Sequence, residues 1–440
     1  MLRKFSLGLV LVTSTAALGQ PAPTWVDARV ATYAQYFQQT LLSGQPGTVA
    51  TVEPAFPVTL TANVRFGAID LPGAPDSISG EVAAWGSLGP RDGRAADADV
   101  TQAWAMYRNG ALRVKVGRQV TLPGSSRYVR FDGASLGLTV GVLDVEAYGG
   151  WVALPRWNQP RGAQILGFLG DGLQNPLLAE AQNRAGQFTL GGRISLALPL
   201  EGRVSVGFHE QEDAYGAAFR VLSADASLRP LPWLGAGGRV SVDLQALAPS
   251  EARAWLDVSK LTNVPLSVDW VYQKPSLLLP QTSVLAAFGG AAWNEVGAET
   301  AVRALQSLTV TGRAAAQFFE NAPQPGGRFQ LGARWRPWLD GRFMVLGQFS
   351  RVLLAPSGYW QARLGGRWEV VPTVAATLDT AVYFYDVPVR GVPTSMTGML
   401  SVEWVARPWL RAMLSTTVMR TPWAAFEVQG LARVVAEFGT

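Results

Sequence analysis

From Gln187 to Leu198 the chain reads QFTLGGRISLAL. Phe188, Leu190, Ile194, Leu196 and Leu198 alternate there with Gln187, Thr189, Arg193 and Ser195. On a helix these apolar side chains would scatter around the whole circumference. On a strand they share one face, because successive side chains point to opposite sides. The same period recurs elsewhere. Val240, Val242, Leu244 and Ala246 alternate with Arg239, Ser241, Asp243 and Gln245, and Trp360, Ala362, Leu364, Trp368 and Val370 with Gln361, Arg363, Arg367 and Glu369. Near the end, Phe426, Val428, Ala432, Val434 and Phe438 alternate with Glu427, Gln429 and Arg433.

Strand-length segments of this kind fill the chain: 27–37, 58–70, 78–88, 99–108, 111–121, 129–140 and 143–153, then 185–199, 201–213, 217–229, 234–247, 250–262, 265–275, 294–306 and 308–320, and finally 326–337, 341–354, 358–371, 374–387, 394–407, 410–421 and 424–438. These are about 22 segments, with no linker or composition shift between them. They predict an all-β fold, a transmembrane antiparallel up-and-down β-barrel of 18–22 strands, an even number.

Alternation alone also fits a soluble sandwich; the signal-peptide pattern, the absence of cysteine and the strand count together separate the two. The chain is 48% hydrophobic and only 16% charged, yet no stretch beyond the N-terminus approaches the roughly 18 apolar residues of a membrane-spanning helix. A barrel reconciles these facts by placing apolar residues at alternate positions facing lipid. At the N-terminus, Arg3 and Lys4 precede an apolar run from Phe5 to Leu18 with small residues at Ala17 and Gly19. That pattern reads as a signal peptide over residues 1–19, leaving 20–440 as the barrel. The expected location is the outer membrane of a Gram-negative bacterium, with outer-membrane lipids and the barrel-assembly machinery as partners. Phe438, two residues from the chain end, resembles the terminal aromatic residue with which such barrels commonly finish.

The connections suggest an orientation. Arg229-Pro230-Leu231-Pro232-Trp233-Leu234, Arg336-Pro337-Trp338-Leu339 and Arg407-Pro408-Trp409-Leu410 are variants of one turn at alternate hairpins, and Asn109-Gly110 reads as a type I′ turn on the same side. Short turns belong to the periplasmic end, where the tryptophans form an aromatic girdle. The long connections, near 154–184 and 276–293, are expected outside.

Chemistry is sparse. There is no cysteine and one histidine, His209, so thiolate and multi-histidine metal sites are excluded. No cofactor is expected, and the basic residues are too dispersed for nucleic-acid binding. Gly133-Ala134-Ser135-Leu136-Gly137 matches the G-x-S-x-G motif, but it lies in an alternating segment with no helix pattern after it. The reading is therefore not an enzyme, with no catalytic residues.

One local sequence points to a family. Val114-Lys115-Val116-Gly117-Arg118-Gln119, a loop with Arg127 and Arg130, and then Phe131-Asp132-Gly133-Ala134 resemble the alginate-export type of outer-membrane barrel. The resemblance spans about 25 residues and implies an Arg-rich export path. By strand parity the lumen set is Arg65, Arg113, Lys115, Arg193, Arg239, Asp243, Arg253, Asp257, Arg303, Arg313, Arg334, Arg363, Arg367 and Arg433. Asp225, Asp269, Glu299, Asp379, Glu403 and Glu427 share those faces, so inward charges that simply pair across strands are the competing reading. The expected function is an exit porin for a secreted polysaccharide, served by periplasmic polysaccharide-export proteins. The alternative is a general or sugar-selective diffusion porin with a constriction loop, followed by a barrel enzyme or structural anchor. Because parity assigns the faces, a single irregularity would swap them beyond it.

Overall fold

The computed structural model describes residues 25–439 except 43–48, 56–57, 72–73, 92–93, 122–128, 154–186, 214–215, 260–263, 279–290, 323, 339–340, 355–356 and 423. The expected signal peptide and the 154–184 connection lie outside the described residues. Of the 276–293 connection, the described part includes most of one helical turn, Pro275–Leu278.

The strands are β1 (Trp25–Leu42), β2 (Val49–Ala55), β3 (Val58–Leu71), β4 (Ala74–Arg91), β5 (Arg94–Asn109), β6 (Leu112–Thr121), β7 (Val129–Val140) and β8 (Leu143–Val152). They continue with β9 (Phe188–Leu198), β10 (Gly202–Asp213), β11 (Gly216–Leu231), β12 (Leu234–Asp243), β13 (Ala248–Val258), β14 (Leu266–Gln273), β15 (Trp293–Leu305) and β16 (Leu308–Phe319). The last are β17 (Gly326–Trp335), β18 (Phe343–Leu353), β19 (Tyr359–Val371), β20 (Val374–Val389), β21 (Val392–Arg407), β22 (Leu410–Arg420) and β23 (Ala424–Gly439).

β1 pairs antiparallel with both β2 and β3, each strand from β3 to β22 pairs antiparallel with the next, and β23 closes on β1 from Asp27↔Gly439 to Leu41↔Ala424. β2 and β3 are two runs of one wall position: Ala55 faces Phe37 and Val58 faces Ala34, both on β1. The result is a closed 22-strand barrel. Strands about 4.8 Å apart and tilted by about 40° make such a wall roughly 44 Å across at the backbone. Among the described residues no helix is long and apolar enough to cross a membrane.

The outer face is apolar and bare: Ile194, Leu400, Leu414 and Val434 are all exposed. Two aromatic girdles bound this band. Trp335, Trp368, Trp404 and Trp409 lie at the end where β1 begins and β23 finishes, and Trp409 stacks on Phe438 at 5.6 Å. Phe329, Trp360 and Phe384 lie toward the other end, joined through cross-strand neighbours Phe329↔Arg351, Arg351↔Trp360 and Trp360↔Phe384. On β19 the two levels are Trp360 and Trp368, about 26 Å apart along the strand and, at a tilt of about 40°, about 20 Å apart along the barrel axis, within a few ångströms of the apolar band of an outer-membrane barrel. The first end is the inner, periplasmic one by the short-turn rule.

One turn differs from its sequence reading. Asn109 and Leu112 are the last pair of the β5–β6 hairpin, so the central residues are Gly110 and Ala111. Gly110 alone carries a positive φ, +52°, as a type II′ turn requires at its first central position. The I′ pattern occurs instead at Arg390-Gly391, both with positive φ, at the outer end between β20 and β21. Short connections therefore occur at both ends.

Candidate functional site: an inner leaf and the pocket beneath it

The wall is not a simple cylinder at β6, β7 and β8. Gly117 pairs with Gly133, and Gly133 with Gly150, so three glycines align across three strands. A Cβ on Gly133 would lie 2.1 Å from the Gly149 oxygen and 2.7 Å from the Gly150 Cα. One on Gly150 would lie 2.3 Å from the Asp132 oxygen, and Gly117 has φ +113°. Only glycine permits so close an approach of backbones.

Across this row the sheet folds back on its inner face. On a flat sheet Thr121, paired with Val129, would sit eight residues, about 26 Å, from the level of Glu146, whose β7 partner is Gly137. Instead the Thr121 hydroxyl donates to Glu146 Oε1 at 3.4 Å. Gln119 Nε2 likewise donates back to the Lys115 carbonyl at 3.3 Å and to the Gly133 carbonyl at 3.2 Å, and Gln119 Oε1 accepts from the Ser135 hydroxyl at 3.0 Å. Phe131 packs on Tyr148 with ring centroids 5.4 Å apart, although its β8 partner is Val152. Residues 118–121 and 129–132 thus form an inner leaf, a second layer of sheet over the inward wall. Phe131 is fully buried and Gln119 is 1% exposed between the layers.

The leaf is latched from its other face. Arg118 donates to Asp132 through Nε and Nη2, both at 2.7 Å, and reaches the Val100 carbonyl at 2.9 Å. Arg130 pairs with Asp99 at 2.8 Å and donates to the Ala153 carbonyl at 2.7 Å. The leaf's departure explains the latch: β6 pairs with β5 only from Arg118↔Ala103 inward, so the guanidinium groups serve a stretch of β5 that β6 does not cover. The family-like motif is the crease and its latch. Its Gly117, Arg118, Gln119, Phe131, Asp132 and Gly133 all have structural tasks here.

Beneath the leaf lies a polar pocket of about 190 Å³ lined by Arg113, Thr121, Asp144, Glu146, Tyr148, Arg193 and Arg203. Arg113 pairs with Asp144 at 3.0 Å, and Arg193 with Asp225 at 2.6 Å while also donating to Ser205. Next to it, Tyr148 Oη and His209 Nδ1 lie 2.8 Å apart. Tyr148 reaches His209 across Gly191, where a Cβ would meet the phenol oxygen at 2.3 Å. His209 is 2% exposed, a buried partner of the tyrosine. Ser135, the serine of the G-x-S-x-G match, lies inside β7 and donates to Gln119, with no strand–turn–helix elbow around it.

The remaining parity-assigned residues lie on the face opposite the apolar set, and most have partners. Arg65 pairs with Asp27 at 3.0 Å, Arg239 approaches Glu251 at 3.5 Å, and Arg367 approaches Glu403 at 3.9 Å. Arg363 binds Asp379, its Nε donating at 2.9 Å. Arg313 holds Asp269 at 2.8 Å, Glu295 at 2.8 Å and Glu299 at 3.2 Å, with Arg328 also on Glu295. Asp243 accepts the backbone amides of Gln245 and Ala246, and Asp257 accepts the Ser267 hydroxyl. Lys115, Arg253 and Arg433 sit over the rings of Trp104, Trp255 and Tyr33. Arg303 and Arg334 make no ion pair among the described residues. The inward charge is thus largely neutralised in place, unlike the electropositive path implied by the family resemblance.

No family model matches the chain, and no curated protein matches it. Among solved structures it is similar to the translocation pore of the P pilus usher PapC, at 9% identity and a TM-score of 0.46, covering 94% of this chain and 99% of that one. It is also similar to Pseudomonas aeruginosa OccK2 (OpdF), at 11% identity and 0.44, covering 94% and 98%. OpdK from the same organism, solved with vanillate, gives 12% and 0.41, covering 94% and 99%. The barrel assignment rests on the chain's own register, closed from β1 to β23.

Proposed function

We propose that this chain is an outer-membrane channel for small hydrophilic solutes. The observation that carries the reading is the inner leaf, which brings a small polar pocket into the lumen of a closed barrel. A wall whose charges are paired in place presents weak, exchangeable hydrogen bonds, as passage requires. Permeation of proteoliposomes tests it: sugars of one or two rings are expected to enter, while long polymers stay out. Exclusion of every sugar, together with no conductance in planar bilayers, would end the channel reading.

A polysaccharide exit is the second reading, favoured by an inward aromatic group. Tyr359 lies 5.8 Å from Tyr383 and 6.4 Å from Tyr385 between ring centroids, and Gln361 donates to the Tyr383 hydroxyl. Flat rings with polar tips suit stacking of successive sugar units. Block of the open current by a long polysaccharide, with passage through the pore, would move the assignment to export.

A further inference from the structure

The pocket beneath the inner leaf is unevenly neutralised. Of its three guanidinium groups, Arg113 is matched by Asp144 and Arg193 by Asp225. Arg203 has no carboxylate within ion-pair distance among the described residues. Of its carboxylates, Asp144 accepts from Arg113 and from the Thr139 hydroxyl. Among the described residues Glu146 accepts only the 3.4 Å bond from Thr121, and Lys115 acts on it only through space. The pocket therefore offers one unmatched cation and one unmatched anion. Register separates them: Glu146 faces Arg193, which faces Gly207, four residues up β10 from Arg203. That spacing puts the two Cα atoms roughly 16 Å apart, and both residues line the pocket. Arg193 Nε is buried without an acceptor.

We propose that this pocket is a subsite for a small zwitterion of single-amino-acid size, its carboxylate at Arg203 and its ammonium at Glu146. A solute carrying only a carboxylate leaves Glu146 unmatched; one carrying only an ammonium leaves Arg203 unmatched. A neutral polyol satisfies neither charge, and about 190 Å³ is of the size of a single small solute. Charge-assisted bonds at both ends make recognition of the pair cooperative in geometry. The inference rests on the channel reading, since the solute must reach the lumen.

The test uses four probes of similar size on the full-length protein in detergent: serine, lactate, ethanolamine and glycerol, each titrated calorimetrically. Serine is expected to bind about tenfold or more tightly than lactate or ethanolamine, and glycerol least. Arg203→Gln is expected to bring serine down to the level of ethanolamine, and Glu146→Gln to that of lactate. Both variants should keep the heat-modifiable mobility of a folded barrel. Equal binding of serine and glycerol, or two folded variants that bind serine as the parent does, overturns the proposal. Conductance through the same preparations separates the two readings. A conducting barrel without serine preference sinks only the subsite, while serine binding without conductance sinks only the channel.

Discussion

Gly133→Val should release the inner leaf, and Gly133→Ala should strain it without release. The first methyl carbon at residue 133 would lie 2.1 Å from the Gly149 oxygen and 2.7 Å from the Gly150 Cα. Both are backbone atoms and cannot rotate away, so β7 and β8 must separate by about an ångström at the crease. Absorbing one extra methyl in a packed site costs about 1–3 kcal/mol. The competing response is to open the leaf. That exposes Phe131, worth about 2–3 kcal/mol of burial, and loses its pairing with Tyr148, about 1 kcal/mol. It also frees the three hydrogen bonds of Gln119, each worth about 1 kcal/mol net. Opening therefore costs at least about 6 kcal/mol before the Arg130–Asp99 latch is counted, well above one methyl; the branched side chain of valine, whose further atoms meet the same backbone, presses toward it. Urea unfolding from lipid vesicles reads the stability, and single-channel conductance reads the leaf. Alanine is expected to lose about 1–3 kcal/mol at near-parental conductance; valine is expected to lose more and to conduct better. A Gly133→Val protein with parental stability and parental conductance would refute the crease.

Two further outcomes follow from the wall. Arg313→Met strands Asp269 and Glu295, 5% and 4% exposed, without their principal cation, and should destabilise the barrel by about 3–5 kcal/mol in the same unfolding assay. Leu400→Arg places a charge on the apolar band and should cost about 2–4 kcal/mol, whereas Ser401→Arg, one residue on and facing inward, should cost under about 1 kcal/mol. Equal costs at 400 and 401 would contradict the assigned faces.

The barrel was legible because period-two alternation is a local property, repeated in every segment. The 22 wall positions coincide with the alternating segments, and the one strand not anticipated, β2, continues a wall position already recognised at β3. Pairing is less legible. Parity places Arg313 and Asp269 on one face, but only register shows that Arg313 spans from β16 to β14 and gathers two other acids. The type II′ turn at Gly110-Ala111 was missed because Asn-Gly is such a strong I′ signal that it outweighs a one-residue shift in pairing.

The inner leaf was illegible for a different reason. Parity runs unbroken through Gly117, so Gln119 shares its face with Lys115, and Phe131 with Ser135. A fold-back keeps that parity and reverses its meaning. Beyond the crease the residues in line with the lumen set turn toward the wall, which is why Phe131 can be fully buried there. Arg118 and Asp132, in line with the apolar set of Val116 and Leu136, turn away from lipid and pair with each other. Two charged residues at positions read as lipid-facing, each next to a glycine, are the trace such a fold leaves in a sequence. A straight barrel wall would have to bury that ion pair in hydrocarbon, at a cost of about 2–4 kcal/mol for the arginine alone. The crease removes the cost by turning the pair into water, and the same turn supplies the roof of the polar pocket.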